Sequence, residues 1–334
     1  MTIQEKIKSS LFSNEKTVIA ITGLSKNAGK TSLLNWLMLN FPNYNYGITT
    51  TGRDGEEQDV VYGTTKPKVK VNKGTIFSTF ASEIGKNSHL FTILEKTELT
   101  ASGKKLWIVQ ALTDVDVEIV GPATVLDQQK IIEKLRFHGA STILIDGSLD
   151  RKAIVLNSKI DSIVVVAGAN YGDNKSIIRE LKRLDILNSI HVSDEIIDEP
   201  DYISLKSDKW FSTELKSLLG NESKFLQLCK ASKIRSIYLP GAITSKSWSK
   251  IGGYLTEFGG SVIVKHPFNL QINEVYLELL SEEVQLETLH RFKINVLAVN
   301  SNSLQGNHLD SQKLLDDIRE FFPDLPVIDT MGIE

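Results

Sequence analysis

Two kinds of apolar pattern alternate along this chain. Short, nearly unbroken apolar runs occur at 17–22 ("TVIAIT"), within "STILIDGSLDR" (141–151), in "SIVVVAGANYG" (162–172) and in "INVLAVNSNS" (294–303). Between them lie stretches whose apolar residues recur at helical spacing. Leu33, Leu34, Leu37 and Met38 predict a helix from Thr31 to about Asn40, which Pro42 then discourages from continuing. Ile131, Ile132 and Leu135 predict a second helix in the segment that starts at Gly121, and Ile177, Ile178, Leu181 and Leu184 a third. Strands without alternation, interleaved with amphipathic helices, are what a parallel sheet covered on both faces requires.

The intervening pieces are less regular. "YGITTTGRDGEEQD" (46–59) reads as a short strand leaving into an acidic loop, and "KPKVKVNKGTIFSTF" (66–80) as a hairpin turning at Asn72-Lys73-Gly74. Leu90–Leu94, Leu106–Gln110 and Val115–Val120 are further strand candidates. Late in the chain, "IRSIYLPGAIT", "SVIVKHPFN" and "LPVIDT" predict strands, and "SWSKIGGYLTEFGG" and "DSQKLLDDIREFF" predict helices.

The expected fold is therefore α/β, a mostly parallel sheet with helices on both faces and a further α/β region in the C-terminal third. The expected organisation is a nucleotide-binding domain over 1–194, a polar connection or cap over 195–230, and a second α/β region over 231–334. Whether that last region continues the first sheet is left open by the sequence.

Composition narrows the chemistry. The 334 residues are 41% hydrophobic and 24% charged, as in a globular protein with a sizeable core. A formal net charge of −3 gives no general attraction to nucleic acid or acidic lipid, so neither is an expected partner. A single cysteine, Cys229, excludes an intramolecular disulfide and fits a reducing compartment. No apolar run approaches the roughly 18 residues of a membrane span, and "MTIQEKIKSSLF" lacks the long apolar centre of a secretory signal. A cytoplasmic location is the expectation.

The candidate chemistry sits after the first apolar run, in "ITGLSKNAGKTSLL". Gly23 and Gly29 permit a turn whose successive N–H groups, aimed by the following helix, can surround phosphate oxygens. Lys30 would place its ammonium against the β- and γ-phosphates, and the Thr31 hydroxyl would lie on the metal side. Leu24, Ser25, Lys26, Asn27 and Ala28 fill the loop, and Ser32 follows it. A bare glycine pair would mean only a tight βα turn; the Gly-Lys-Thr-Ser word between an apolar strand and an amphipathic helix favours a nucleotide. The spacing, Gly then five residues then Gly-Lys-Thr, is one longer than the common form.

A triphosphate arrives with Mg²⁺, which takes carboxylates and waters. Asp146 ends the run Thr142–Ile145, where a metal-side carboxylate would sit, with Asp150 and Arg151 just beyond; a strand-end turn or helix-capping acid is the alternative reading. Asp54 in "TTTGRDGEEQD" is the second metal candidate, with Arg53 a phosphate contact and Glu56 nearby; a solvated acidic turn accounts for these equally well. Glu118 is a third, weaker candidate. Lys30, Asp146 and Asp54 are thus the candidate catalytic residues, and Thr31, Asp54 and Asp146 the candidate metal ligands. Asn300 ends a late strand and could read the base, although a turn asparagine is the commoner explanation. The six histidines are scattered without zinc-ligand spacing, no G-x-S-x-G word occurs, and Trp248 and Tyr254 read as packing residues.

The longer loop resembles that of the dethiobiotin synthetase and cobyrinate amidotransferase branch of P-loop proteins. Together with "GITTTGRDGE", "TKPKVKVNKGTIFST" and "IDGSLDRK", it is similar more narrowly to the small reactivating component that accompanies lysine 5,6-aminomutase. Thr51 stands where a small apolar residue usually precedes "GRDGE". This resemblance implies ATP and Mg²⁺ as ligands, ATP hydrolysis, and as partners an adenosylcobalamin-dependent aminomutase and a second reactivating subunit. ATP rather than GTP rests on the resemblance, and no N-K-x-D word ends a strand; "VNSN" (299–302) lacks its Lys and Asp. The broader resemblance implies a small-molecule ligase or kinase instead, with Lys66 and Lys68 as candidates for an anionic substrate. A nucleotide sensor without turnover is the third reading.

Overall fold

A computed structural model describes residues 2–51, 68–85, 87–148, 159–231, 233–301 and 309–329. In chain order the elements are α1 (Ile3–Leu11), β1 (Thr17–Gly23), α2 (Lys30–Asn40), β2 (Tyr46–Thr50), β3 (Val69–Val71), β4 (Ile76–Phe80), α3 (Ala81–Gly85), β5 (Phe91–Ala101), β6 (Lys104–Ala111), β7 (Val115–Val117), α4 (Val125–Phe137), β8 (Thr142–Ser148), β9 (Ser162–Gly168) and α5 (Asn174–Ser189). There follow β10 (His191–Val192), β11 (Ser204–Lys206), β12 (Trp210–Ser212), α6 (Glu222–Lys230), β13 (Ser236–Leu239), β14 (Ile243–Thr244), α7 (Ser245–Glu257), β15 (Ser261–Val264), β16 (Leu270–Gln271), α8 (Glu274–Glu283), β17 (Gln285–Thr288), β18 (Ile294–Asn300), α9 (Ser311–Phe321) and β19 (Val327–Asp329). The chain divides into two compact units, Met1–Ile177 with Ile294–Glu334, and Ile178–Lys293.

The first unit is built on one nine-stranded sheet in the order β19-β18-β9-β1-β8-β2-β4-β6-β5. Strands β19 through β4 run parallel, and the β5–β6 hairpin adds an antiparallel edge. Both faces are covered, which is why β1 and β9 are buried at every position. On one face Ile19, Ile21, Leu144, Val164 and Val166 pack with Ile7 and Leu11 of α1 and Leu33, Leu34, Leu37 and Met38 of α2. On the other, α4 buries Ile131, Ile132 and Leu135 against β2, β4 and β8.

Local caps agree with these boundaries. Thr2 and Glu5 form a reciprocal capping box on α1, and Thr124 and Asp310 cap α4 and α9. The second unit has its own six-stranded sheet, order β10-β17-β15-β13-β11-β12, parallel from β10 to β13 and antiparallel beyond. Helices α7 and α8 pack on each other, and Tyr238, Phe225, Ile251, Val262 and Leu277 are fully buried in this unit. Residues 195–230, polar in sequence, supply β11, β12 and α6. No helix among the described residues is long and apolar enough to cross a membrane.

Two expectations need correction. The turn at Asn72-Lys73-Gly74 forms, with Gly74 at φ +91° and the Thr75 N–H donating to the Asn72 carbonyl (3.1 Å). Its flanking strands do not pair with each other. β3 pairs antiparallel with β7, while β4 lies between β2 and β6. The turn is tied instead to the end of β6, where the Gly74 N–H donates to Ala111 O (2.8 Å) and the Ala111 N–H to Thr75 O (3.0 Å). The β7 strand also stops at Val117, short of the expected Val120.

The hairpin that does form joins β5 to β6 through Ser102 (φ +47°) and Gly103 (φ +75°), two left-handed residues as a tight hairpin turn requires. A β-branched side chain is poorly tolerated at such a φ. Gly103→Val is expected to lower stability by about 1–2 kcal/mol, read as a lower thermal midpoint. An unchanged midpoint would show that the turn tolerates a different conformation.

Candidate functional site

The carboxyl ends of parallel strands are where open α/β sheets place ligands, most often where successive crossovers leave in opposite directions. β1 is that place here. The chain passes from β1 to β2 on one side, with β8 between them, and from β8 across β1 to β9 on the other. The loop 24–29 therefore leaves β1 at the switch point, and α2 begins at Lys30.

The loop's conformation follows from a few residues. Asn27 has φ +56° and Gly29 φ +102°, so the backbone turns twice through the left-handed region before the helix. A Cβ on Gly23 would lie 3.0 Å from Ala28 Cβ, 3.0 Å from the Ser25 carbonyl oxygen and 3.2 Å from Lys30 Nζ. The lysine amine thus folds back over the start of the loop, and Gly23 leaves room for it. Gly29 is the N-cap of α2, with no capping side chain and no acid in the first helical turn. Uncapped first-turn N–H groups and the positive end of the helix face an anion favourably.

The neighbouring strands brace this turn. The Leu24 N–H donates to Val166 O of β9 (3.0 Å), and Asn170 Nδ2 donates to the Asn27 carbonyl (3.0 Å). Gly168 ends β9 directly beneath the loop: a Cβ there would stand 2.9 Å from both Cα and O of Ala28. Asn300, at the end of β18, is buried, and its Nδ2 lies 2.7 Å from where a Gly29 Cβ would be. The structure thus brings Asn300 against the last loop residue. Leu24 and Ala28 are buried, Ser25, Asn27, Gly29, Lys30 and Thr31 half-buried, and Lys26 and Ser32 exposed.

Asp146 sits on β8 in register with Ile21 of β1 and Thr50 of β2, and the Thr51 N–H donates to its carbonyl (2.9 Å). It is one strand over from the loop, partly accessible at the same sheet edge. The Ser25 and Thr50 hydroxyls are buried there with no hydrogen-bond partner among the described residues. Buried orphan hydroxyls, a carboxylate and an uncapped helix start form a donor set that fits a hydrated Mg²⁺ and a phosphate chain.

Not every candidate comes together. Glu118 follows β7, its carbonyl accepting from Thr79 Oγ1 of β4 (2.7 Å), and β4 is two strands from β8. Lys68 is exposed ahead of β3. Asp54, Arg53, Glu56, Lys66, Asp150 and Arg151 lie outside the described residues. Among the described residues, no group of three or more His, Cys, Asp or Glu could hold a metal ion. Trp248 stacks on Tyr276 (5.6 Å between ring centroids) and Tyr254 meets Phe225 edge-on (6.5 Å), both as packing.

Reading the sequence alone misses three residues of this neighbourhood. Gly168 and Asn170 fall at the polar end of the run 162–172 and look like ordinary strand-end residues; their meaning depends on β9 lying beside β1. The third is Gln128 of α4, fully buried, whose Nε2 donates to the carbonyls of Thr50 (2.5 Å) and Pro122 (2.6 Å) and so ties the end of β2 to the segment before α4.

No model of a known family and no curated protein matches the chain. Among solved structures, it shares a slight likeness with the chimerical protein CapA2B2, at 13% identity and a TM-score of 0.31, covering 55% of this chain and 76% of that one. At that TM-score the likeness says nothing about function.

Proposed function

We propose that residues 23–32 form a phosphate loop for magnesium–ATP, and that the chain is an accessory ATPase that reactivates an adenosylcobalamin-dependent aminomutase. The observation that carries the nucleotide reading is the Lys30 amine folded back over Gly23 beside an uncapped helix start at Gly29. The choice of ATP, the aminomutase partner and a second reactivating subunit rest on the sequence resemblance.

In this reading the loop N–H groups and Lys30 bind the β- and γ-phosphate oxygens, while Gly168 and Asn300 hold the loop from beneath. Thr31 and Asp146 are the described residues that would hold the metal, with Asp54 as their further partner. Magnesium, when bound, supplies positive charge between the terminal phosphates. The segment that carries Asp54 follows Thr50, whose carbonyl is tied by Gln128. A nucleotide acts on a partner only through a difference in affinity between two conformations, and this root is where the terminal phosphate would exert it.

The test is magnesium-dependent ATP hydrolysis by the purified chain, alone and with an aminomutase that holds inactivated cofactor. Stimulation by the mutase supports the reactivating role. Stimulation by a small carboxylic acid or amine instead would assign the chain to the ligase or kinase class, and tight binding with no turnover would make it a sensor. Asp146→Asn is expected to lower magnesium-dependent turnover at least tenfold while changing ATP affinity only about two- to threefold, because it removes a metal-side charge and leaves the loop donors in place. Turnover equal to wild type would remove Asp146 from the metal site.

A further inference from the structure

Asn170 lies outside the glycine-lysine-threonine word, in the turn after β9, yet its side chain reaches the loop backbone. Its Nδ2 donates to the carbonyl of Asn27 at 3.0 Å. Asn27 is the one loop residue other than glycine in the left-handed region (φ +56°), a conformation that needs support from its surroundings. In a planar trans peptide the C=O and N–H point in opposite directions from the C–N bond. Holding the Asn27 oxygen toward the end of β9 therefore turns the Ala28 N–H away from β9. Without that anchor the peptide is free to flip and present a carbonyl where a donor is wanted. A second contact points the same way: the absence of a side chain on Gly168 lets Ala28 settle onto the end of β9.

We infer that Asn170 is a positioning residue for the phosphate loop, setting the orientation of the Asn27–Ala28 peptide so that its N–H is available to an anion. This rests on the reading of 23–32 as a phosphate loop. It makes Asn170 act on the polyphosphate through the loop and not on the base or ribose.

That difference is testable with two probes, ATP and inorganic tripolyphosphate, each with Mg²⁺, titrated against the full chain and the variants Asn170→Ala, Asn170→Asp and Lys30→Ala. Asn170→Ala is expected to weaken both probes in parallel by about tenfold, the loss of roughly one well-made hydrogen bond. Asn170→Asp keeps the shape but replaces the donor with an acceptor, and is expected to weaken both by more. The nucleotide-free thermal midpoint should stay near wild type, while amide hydrogen exchange should quicken within 24–30 and not elsewhere. Parallel losses with local faster exchange support the inference. A loss confined to ATP would place Asn170 at the base or ribose and overturn it, as would no loss in either variant. If wild type binds neither probe, or Lys30→Ala binds both as well as wild type does, the phosphate-loop reading fails and the inference with it. That failure shows in wild type or Lys30→Ala, and so is distinct from one confined to the Asn170 variants.

Discussion

Lys30→Ala is expected to weaken ATP binding by about a hundredfold while leaving the nucleotide-free protein as stable as wild type. The amine lies 3.2 Å from the Cβ position of Gly23, over the mouth of the loop, and its removal takes that positive charge away. A hydrogen bond to a charged group contributes roughly 1.5–3 kcal/mol, and a hundredfold in affinity is about 2.7 kcal/mol, so one or two such bonds suffice. Stability should hold because the core of α2 is made by Leu33, Leu34, Leu37 and Met38, and Lys30 takes no part in it. Isothermal titration with ATP and Mg²⁺, beside a thermal melt of each protein, reads both halves. Affinity equal to wild type would mean that the loop does not hold a phosphate chain.

The largest effect on the fold is expected from Gly121→Ala. A Cβ at this position would stand 1.9 Å from the Thr50 carbonyl oxygen, 2.5 Å from Thr49 Oγ1 and 2.8 Å from the Thr50 nitrogen. Two of these are backbone atoms at the end of β2, so no side chain can rotate away to make room. Either β2 or the segment 119–122 must move. Movement of either disturbs Gln128, whose amide bridges the Thr50 and Pro122 carbonyls. Overpacking of this kind costs about 1–3 kcal/mol, and a broken buried bridge adds roughly 1–3 more. The thermal midpoint is expected to fall by about 5–10 °C. Because Thr50 faces Asp146 across the β2–β8 pair, magnesium-dependent turnover should fall with it. A midpoint within about 1 °C of wild type would show that β2 and residue 121 are not in contact.

How much of this was legible in one sequence depends on the range of the interactions involved. β1, β8, β9 and β18 stand out because a strand buried on both faces must be apolar throughout. α2 stands out because Leu33, Leu34, Leu37 and Met38 share one helical face. The loop word was legible because turn chemistry and its spacing are local. The β5–β6 hairpin is not legible, since Ser102-Gly103 is a weaker turn signal than Asn-Gly and the alternation in β5 is blurred by two register shifts. β11 and β12 were hidden by their length of three residues each and their polar composition.

By itself, then, the sequence determined an α/β chain with a mostly parallel sheet, the position of its first strand, loop and helix, and the candidate phosphate chemistry of Gly23, Gly29, Lys30 and Thr31. Only the tertiary structure decided that β18 and β19 return to the first sheet after residues 178–293 form a unit of their own. It alone paired β3 with β7 instead of β4, and brought Asn170 and Asn300 against the loop. The reason is physical: helical periodicity, caps and turns are settled within a few residues, whereas strand order joins segments far apart in the chain. Asn170 and Asn27 are separated by 143 positions, and only the placement of β9 beside β1 makes them neighbours.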